Sequence, residues 1–124
     1  MDRKLCLFKS SLKPEEPPMT IGERLKKDKE FEKNVKGVEN LATIGGNSYD
    51  RIVKGNYNEK NGNMDYRYGA AYSLLQKKDL NPSVRQNALE DVKEGYRNGK
   101  FSEKDISDLN IPEPEKNKIL NNRG

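Results

Sequence analysis

Apolar residues recur at intervals of three and four positions through much of this chain, and that spacing is the period of an α-helix. The pattern is clearest at Phe31, Val35, Val38 and Ala42. Such a stripe places apolar side chains along one face of a helix and leaves the intervening Lys, Glu and Asp residues on the other. Residues 20–44 are therefore predicted to form one long amphipathic helix, capped at Thr20 and ended by the glycines that follow.

Signals for helix starts and ends divide the rest of the chain into shorter helices. Asn81 precedes a proline and is a predicted N-cap, and Ser102 opens a second capping pattern that is completed by Asp105. No stretch shows the sustained alternation of β-branched residues that is typical of strands. The sequence therefore predicts an all-α fold, a small bundle of four to five helices. After the first helix, the predicted spans are residues 64–78, 82–98, 103–109 and 115–121.

The chain is predicted to be a single helical domain, residues 20–124, preceded by an extended or flexible N-terminal arm, residues 1–19. Prolines at positions 14, 17 and 18 break regular structure in the arm. The apolar run at residues 5–8 is interpreted as an edge strand or a docking segment. Hydrophobic residues make up 31% of the chain and charged residues 35%, so the core should be small.

Much familiar chemistry is missing, because the chain has no histidine and one cysteine, Cys6. It has no imidazole base, no Ser-His or Cys-His pair and too few ligands for a structural zinc site. No apolar run approaches the roughly 20 residues that span a bilayer. The sequence predicts no metal, no cofactor and no membrane contact. It also predicts a cytoplasmic protein, or one delivered into a host cell without a signal peptide.

Three segments resemble ligand sites, and each has a simpler structural interpretation. Residues 94–105 have part of the spacing of a calcium-binding EF-hand loop, but Tyr96 stands where that loop needs a carboxylate ligand. Residues 45–48 resemble a glycine-rich anion-binding turn but lack the lysine of a phosphate loop. Asp50 and Asp65 are interpreted as acids at helix starts rather than as a catalytic carboxylate pair.

The densest aromatic and basic cluster supplies the first candidates for partner binding: Tyr57, Tyr66 and Arg67. On a helix, Tyr66 and Arg67 are predicted to point away from the apolar face that carries Tyr68, and so to be exposed. An exposed tyrosine beside an arginine is typical of a protein–protein contact. The cluster is therefore interpreted as a contact for another protein rather than as a platform for nucleic-acid bases.

The second group of candidates is the apolar stripe itself, Phe31, Val35 and Val38. Its ordinary interpretation is the core face of the domain. The alternative is a seam for a partner helix or for a second copy, which would make a homodimer through residues 20–44.

These observations favour a small non-enzymatic protein-binding module that acts through the amphipathic helix or the tyrosine-rich surface. The composition suits an inhibitor, adaptor or effector from a bacterium, phage or mobile element. Since the net charge is +4 and the isoelectric point about 9.1, a nucleic-acid-binding regulator is the first alternative. A small hydrolase or nuclease that uses carboxylates with a metal ion is the second.

Overall fold

The computed structural model describes residues 19–44 and 49–121, and in that part of the chain there are α-helices and no strands. The predicted all-α class is confirmed. A π-helical segment, Tyr49–Lys54, and a 3₁₀ turn, Glu59–Asn61, precede the third α-helix. The α-helices are α1 (Ile21–Lys27), α2 (Lys29–Ala42), α3 (Met64–Leu74), α4 (Pro82–Arg97), α5 (Glu103–Ser107) and α6 (Glu113–Leu120). The predicted count of four to five helices is not confirmed, and the predicted arm lies almost wholly outside the described residues.

The segment predicted as one helix over residues 20–44 is two helices, because Asp28 interrupts it. The Asp28 backbone is extended (φ −107°, ψ 101°), so this residue ends α1 and serves as the N-cap of α2. Its carboxylate accepts a hydrogen bond from the Phe31 amide at 3.1 Å. A cap of this kind satisfies an amide that would otherwise lack a partner at a helix start. The interval of six positions between Leu25 and Phe31 breaks the helical spacing at the same place.

Three predicted N-caps are confirmed in the side-chain hydrogen bonds. Capping boxes are present at Thr20 and Ser102, with Glu23 and Asp105 as their reciprocal partners. Asn81 accepts hydrogen bonds from two amides of the first turn of α4. The end points differ more, since α3 ends at Leu74 rather than near residue 78, and α6 begins before residue 115.

Helix α3 lies at the centre of the fold and packs against α2 on one side and α4 on the other. Gly69 allows the close approach of α2, because a Cβ atom there would lie 2.8 Å from Cγ2 of Val35. On α4, Gly95 does the same for Phe101, with a Cβ distance of 2.6 Å to its ring. Small residues at these crossings bring three helices around one core. That core includes Tyr49, Tyr68, Leu74, Tyr96, Phe101 and Ile106.

The first turn of α1 contacts α5 and the loop that precedes it, about 80 positions later in the sequence. The Ile21 amide donates to the Lys100 carbonyl at 2.9 Å, in the loop between α4 and α5. Gly22 lies against Asp105, so close that a Cβ atom would be 2.3 Å from the carboxylate oxygen Oδ1. Helices α5 and α6 pack on each other, and α6 also packs on α4. Across residues 19–44 and 49–121, no helix is both long and apolar enough to cross a bilayer.

Candidate functional site

The apolar stripe of α2 is buried within the chain. Phe31, Val35 and Val38 are at most 2% exposed, and their helix faces α3. This is the arrangement expected of a core face, the ordinary interpretation of the stripe. A partner helix or a second copy would have to displace α3 to reach these side chains.

Arg67 is not exposed, and the prediction that it points to solvent is wrong. Its side chain is 11% exposed and is paired with the carboxylate of Asp91, which is 2% exposed. Nη2 donates to Oδ1 at 2.7 Å and Nε donates to Oδ2 at 3.0 Å, a two-bond contact between α3 and α4. The hydroxyl of Tyr49 donates a hydrogen bond to the same carboxylate. Three residues from three elements therefore share one buried polar contact.

This buried network perturbs the ionisation of its members. Burial, followed by the negative charge of Asp91, raises the pKa of the Tyr49 hydroxyl well above its usual range. Burial alone would lower the pKa of the Arg67 guanidinium, but the hydrogen bonds and charge of Asp91 outweigh it and raise the pKa. Tyr49 therefore stays protonated and Arg67 stays charged across the physiological range. The network is a fixed polar support.

Tyr57 lies beside this support and is partly buried against the core. Its backbone carbonyl accepts a hydrogen bond from Nη1 of Arg67 at 3.2 Å. The adjoining Asn- and Gly-rich segment folds into a 3₁₀ turn, ended by Gly62 in the left-handed conformation (φ 70°) that glycine tolerates. Arg67 thus anchors the turn that carries Tyr57.

Tyr66 is partly buried and packs on α2 beside Arg24. Its ring packs at 5.6 Å from the Phe31 ring, and its hydroxyl lies 3.5 Å from Nδ2 of Asn34 on α2. The guanidinium of Arg24 lies 3.9 Å from the centre of the same Phe31 ring. A buried phenylalanine therefore supports a partly exposed tyrosine and a partly exposed arginine.

An open cleft of about 470 Å³ adjoins Arg24, between the starts of α1 and α3 and the end of α4. Asp65 lies in its wall and bridges two cations, Nη1 of Arg24 at 3.4 Å and Nζ of Lys100 at 3.2 Å. Met19 is 46% exposed at its edge. We call Met19, Arg24, Asp65, Tyr66 and Lys100 together the Arg24–Tyr66 surface. It presents an aromatic ring, a thioether and both signs of charge.

Basic residues from three elements also converge on a second groove, of about 450 Å³. Acidic residues share this groove, and Asp91 already neutralises one of its cations. Carboxylates so close to the basic groups repel phosphates, so the groove resembles a mixed-charge surface more than a phosphate track. The basic lining residues are Lys54, Arg67, Lys93 and Arg97, and the acidic ones are Glu90, Asp91 and Glu94.

The residues of the EF-hand-like segment have other roles in the structure. Glu94 accepts a hydrogen bond from the Tyr68 hydroxyl at 2.9 Å, and Asp105 completes the capping box of α5. Asp50 pairs with Lys54 four positions on. No group of three or more Cys, Asp or Glu side chains within residues 19–44 and 49–121 is arranged to hold a metal ion. Residues 45–48, the predicted anion-binding turn, lie outside the described residues.

Tyr49 and Asp91, which form the buried polar centre with Arg67, are absent from the candidates that the sequence pattern predicts, and so is Arg24, which contacts the Phe31 ring and lines the cleft. One signal for Asp91 was available: it occupies a position one turn from Ala88 and next to Val92, on the apolar face of α4. A carboxylate on an apolar face needs a charged partner when it is buried. Searches against protein-family models, curated proteins and solved structures find no match to this chain.

Proposed function

We propose that this chain is a small non-enzymatic module that binds another protein through the Arg24–Tyr66 surface. The observation that carries the proposal is the packing of Arg24 and Tyr66 on the same buried ring, Phe31, with Arg24 also lining an open cleft. Tyrosine and arginine dominate the energetics of protein–protein interfaces when a rigid support holds them in place.

The surface has the mixture of groups that such interfaces use. Met19 is adaptable and exposed, Tyr66 offers a rigid ring with a hydroxyl, and the charges of Arg24, Asp65 and Lys100 form a polar rim. The cleft is large enough for a few side chains but not for a folded element. We therefore expect a partner that inserts one aromatic or aliphatic side chain and surrounds it with charges of both signs.

The amphipathic helix is not part of this proposal, because its apolar face already packs on α3. The presence of the cleft favours the tyrosine-rich surface as the contact for a partner. Its lining contains no nucleophile beside a base, since the polar groups are Thr20, Asp65, Asn98, Arg24 and Lys100 and the carboxylate is held by two cations. Binding is thus better supported than hydrolysis.

The test is affinity capture from a lysate of the source organism or its host, comparing the full chain with Tyr66→Ala and Arg24→Ala. The matched control is Lys118→Ala, an exposed residue on α6 outside the Arg24–Tyr66 surface. We expect one stoichiometric protein to be retained by the parent chain and the control after nuclease treatment and at high salt. The amount of this protein retained by each surface variant should be at least tenfold lower.

Photo-crosslinking identifies the contact directly. A benzophenone amino acid in place of Tyr66 should crosslink to the captured protein, whereas the same group in place of Lys118 should not. Equal capture by all four chains would overturn the proposal. Capture of nucleic acid alone, abolished by nuclease, would replace it with the nucleic-acid-binding alternative, whose binding must fall steeply with salt.

A further inference from the structure

A further open cleft, of about 380 Å³, shares three lining residues with the cleft beside Arg24: Asp65, Asn98 and Lys100. Its other lining residues are Glu59, Gly62, Met64 and Tyr68. The two clefts therefore meet at the shared residues and form one longer depression. It runs from the start of α1, past the end of α4, to the 3₁₀ turn that precedes α3. We call the two clefts together the Asn98 trough.

The side-chain amide of Asn98 has one orientation that its neighbours allow. The Tyr68 hydroxyl has a single proton, and it donates this proton to Oε2 of Glu94 at 2.9 Å. Burial raises the pKa of Tyr68 to about 12, so the hydroxyl keeps that proton near neutral pH. It must then accept from Asn98, whose Nδ2 lies 3.1 Å away. Nδ2 therefore faces Tyr68, and the oxygen Oδ1 faces away from it.

Most of the hydrogen-bonding capacity of this amide is unused. Within residues 19–44 and 49–121, Oδ1 and the second N–H of Asn98 have no partner. Asn98 is exposed and borders both clefts of the trough. Its amide offers a C=O and an N–H on one planar group, and these are complementary to the N–H and C=O of a peptide main chain.

Two glycines leave room for a main chain in the trough. Gly99 follows Asn98, and Gly62 ends the 3₁₀ turn; their φ angles are 80° and 70°. At either position, no atom of the described residues beyond the glycine's own neighbours in sequence lies within 4 Å of where a Cβ would stand. A bound backbone can therefore approach the trough closely at both glycines.

The charges of the trough suit an occupant without net charge. Two cations, Arg24 and Lys100, and two carboxylates, Asp65 and Glu59, line it. Asp65 already bridges both cations, at 3.4 and 3.2 Å. A polyanion such as nucleic acid gains little from cations that are paired in this way. An uncharged main chain needs only the hydrogen-bonding groups that Asn98 offers.

We propose that the Asn98 trough holds an extended segment of the partner protein, whose main-chain N–H and C=O pair with the side-chain amide of Asn98. The inference rests on the proposed function, because it names the part of the partner that enters this site. An α-helix cannot be the occupant, since its main-chain groups are already paired internally. Alternate side chains of an extended segment point in opposite directions, so one can enter the cleft beside Arg24. Tyr68 is a positioning residue that sets the orientation of Asn98.

The test uses a displayed library of linear random peptides, selected on the immobilised full chain. Fluorescence anisotropy then measures the binding of the selected peptides to variants. We expect Asn98→Ala to weaken binding roughly tenfold and Tyr68→Phe severalfold, since each loses one or two hydrogen bonds or their alignment. Asn87→Ala is the matched control, because Asn87 is also on α4 but lies outside the trough. Circular dichroism checks that all variants are folded.

Ester substitution in the peptide identifies the main-chain contact directly. Each ester replaces one peptide N–H by an oxygen and leaves the side chains unchanged. We expect one ester position to weaken binding to the parent chain severalfold and to have little effect on binding to Asn98→Ala, as coupled partners do in a double-mutant cycle. The same ester should also lose its effect in Tyr68→Phe, which a merely structural role of Tyr68 would not cause.

Three results would overturn the inference: no linear peptide is selected, the peptides bind Asn98→Ala as tightly as the parent chain, or no ester position is coupled to Asn98. Affinity capture from the lysate separates this failure from failure of the proposed function. Capture that depends on Tyr66 but not on Asn98 would overturn the inference and leave the proposed function standing. Capture that depends on neither residue would overturn both.

Discussion

Arg67 on α3 and Asp91 on α4 form a buried ion pair with two hydrogen bonds, of 2.7 and 3.0 Å, across 24 positions of sequence. Tyr49 donates to the same carboxylate, and Arg67 also holds the Tyr57 carbonyl. One pair of opposite charges therefore fixes the π-helical segment and the Asn-rich turn against the two central helices. Because both side chains are largely buried, the pair belongs to the scaffold of the fold.

Replacing Arg67 with methionine should destabilise the protein by about 3–5 kcal/mol, since Asp91 is left as an uncompensated buried charge. Urea denaturation followed by circular dichroism measures the change. The exposed pair Lys104–Asp108 is the control, and Lys104→Ala should alter the free energy of unfolding by less than about 1 kcal/mol. Equal changes in the free energy of unfolding for the two substitutions would show that the buried pair contributes no more to stability than the exposed pair.

Gly22→Ala should destabilise the fold by about 1–3 kcal/mol, because the new Cβ atom would lie 2.3 Å from Oδ1 of Asp105 and force α1 and α5 apart. Gly37→Ala is the matched control on the neighbouring helix α2, where no atom lies within 4 Å of a Cβ. There the alanine should stabilise the helix by about 0.5–1 kcal/mol. Opposite shifts in melting temperature are therefore expected, and a stabilising Gly22→Ala would contradict the described contact.

Stability should fall at alkaline pH because of buried tyrosines. Burial, first among the causes, raises the pKa of Tyr49 and Tyr72 above the usual 10.0, and raises that of Tyr68 to about 12. Their contribution is fully present below pH 10, where folded and unfolded forms are both protonated. It is lost as pH rises further, because the unfolded chain releases these protons first.

Urea midpoints between pH 8 and 11 test this expectation, with tyrosinate absorbance as a second measurement. Tyr49→Phe is the comparison variant, because it removes the most perturbed hydroxyl and keeps the ring. Its stability should be lower than that of the parent chain at pH 8 and should fall less steeply above pH 10. Parallel curves for the two chains would contradict the assignment of Tyr49.

An acid-sensitive contribution is expected at the ion pair of Arg85 and Glu115, which joins α4 to α6. Nη1 of Arg85 donates to Oε2 of Glu115 at 2.8 Å, and this hydrogen bonding, followed by the charge of Arg85, lowers the pKa of Glu115 from 4.5. The depressed pKa means that the pair stabilises the fold above pH 4.5. The contribution is lost as pH falls through the folded-state value.

Glu115→Gln measures this contribution as the difference in urea midpoint from the parent chain between pH 3 and 7. Both side chains are about one-third exposed, so the difference at pH 7 should be below about 1 kcal/mol and smaller still at high salt. It should vanish at the acid end of the range. A difference that persists unchanged at pH 3 would assign the effect to packing instead of charge.

Helix starts and apolar faces were predictable because they depend on neighbours in sequence. The capping boxes at Thr20 and Ser102 join residues three positions apart, and the stripe of α2 follows from the helical period alone. The same local reasoning failed at Asp28, where one side chain favoured a cap over continuing the helix. The free energies of the two alternatives, a helix cap and a continuous helix, differ by only about 2 kcal/mol or less. Tertiary packing can therefore decide between them.

The sequence by itself determined the all-α class, most helix starts and the apolar face of α2. These features depend on hydrogen bonds between neighbouring residues and on the 3.6-residue period of the helix. Only the tertiary structure decided which candidate residues are buried and which reach the surface. It buries Arg67 against Asp91, covers Phe31 with Tyr66 and Arg24, and forms the cleft from three distant helix ends. Those outcomes depend on contacts between side chains that are mostly far apart in sequence. The spacing of residues within one helix does not determine such contacts.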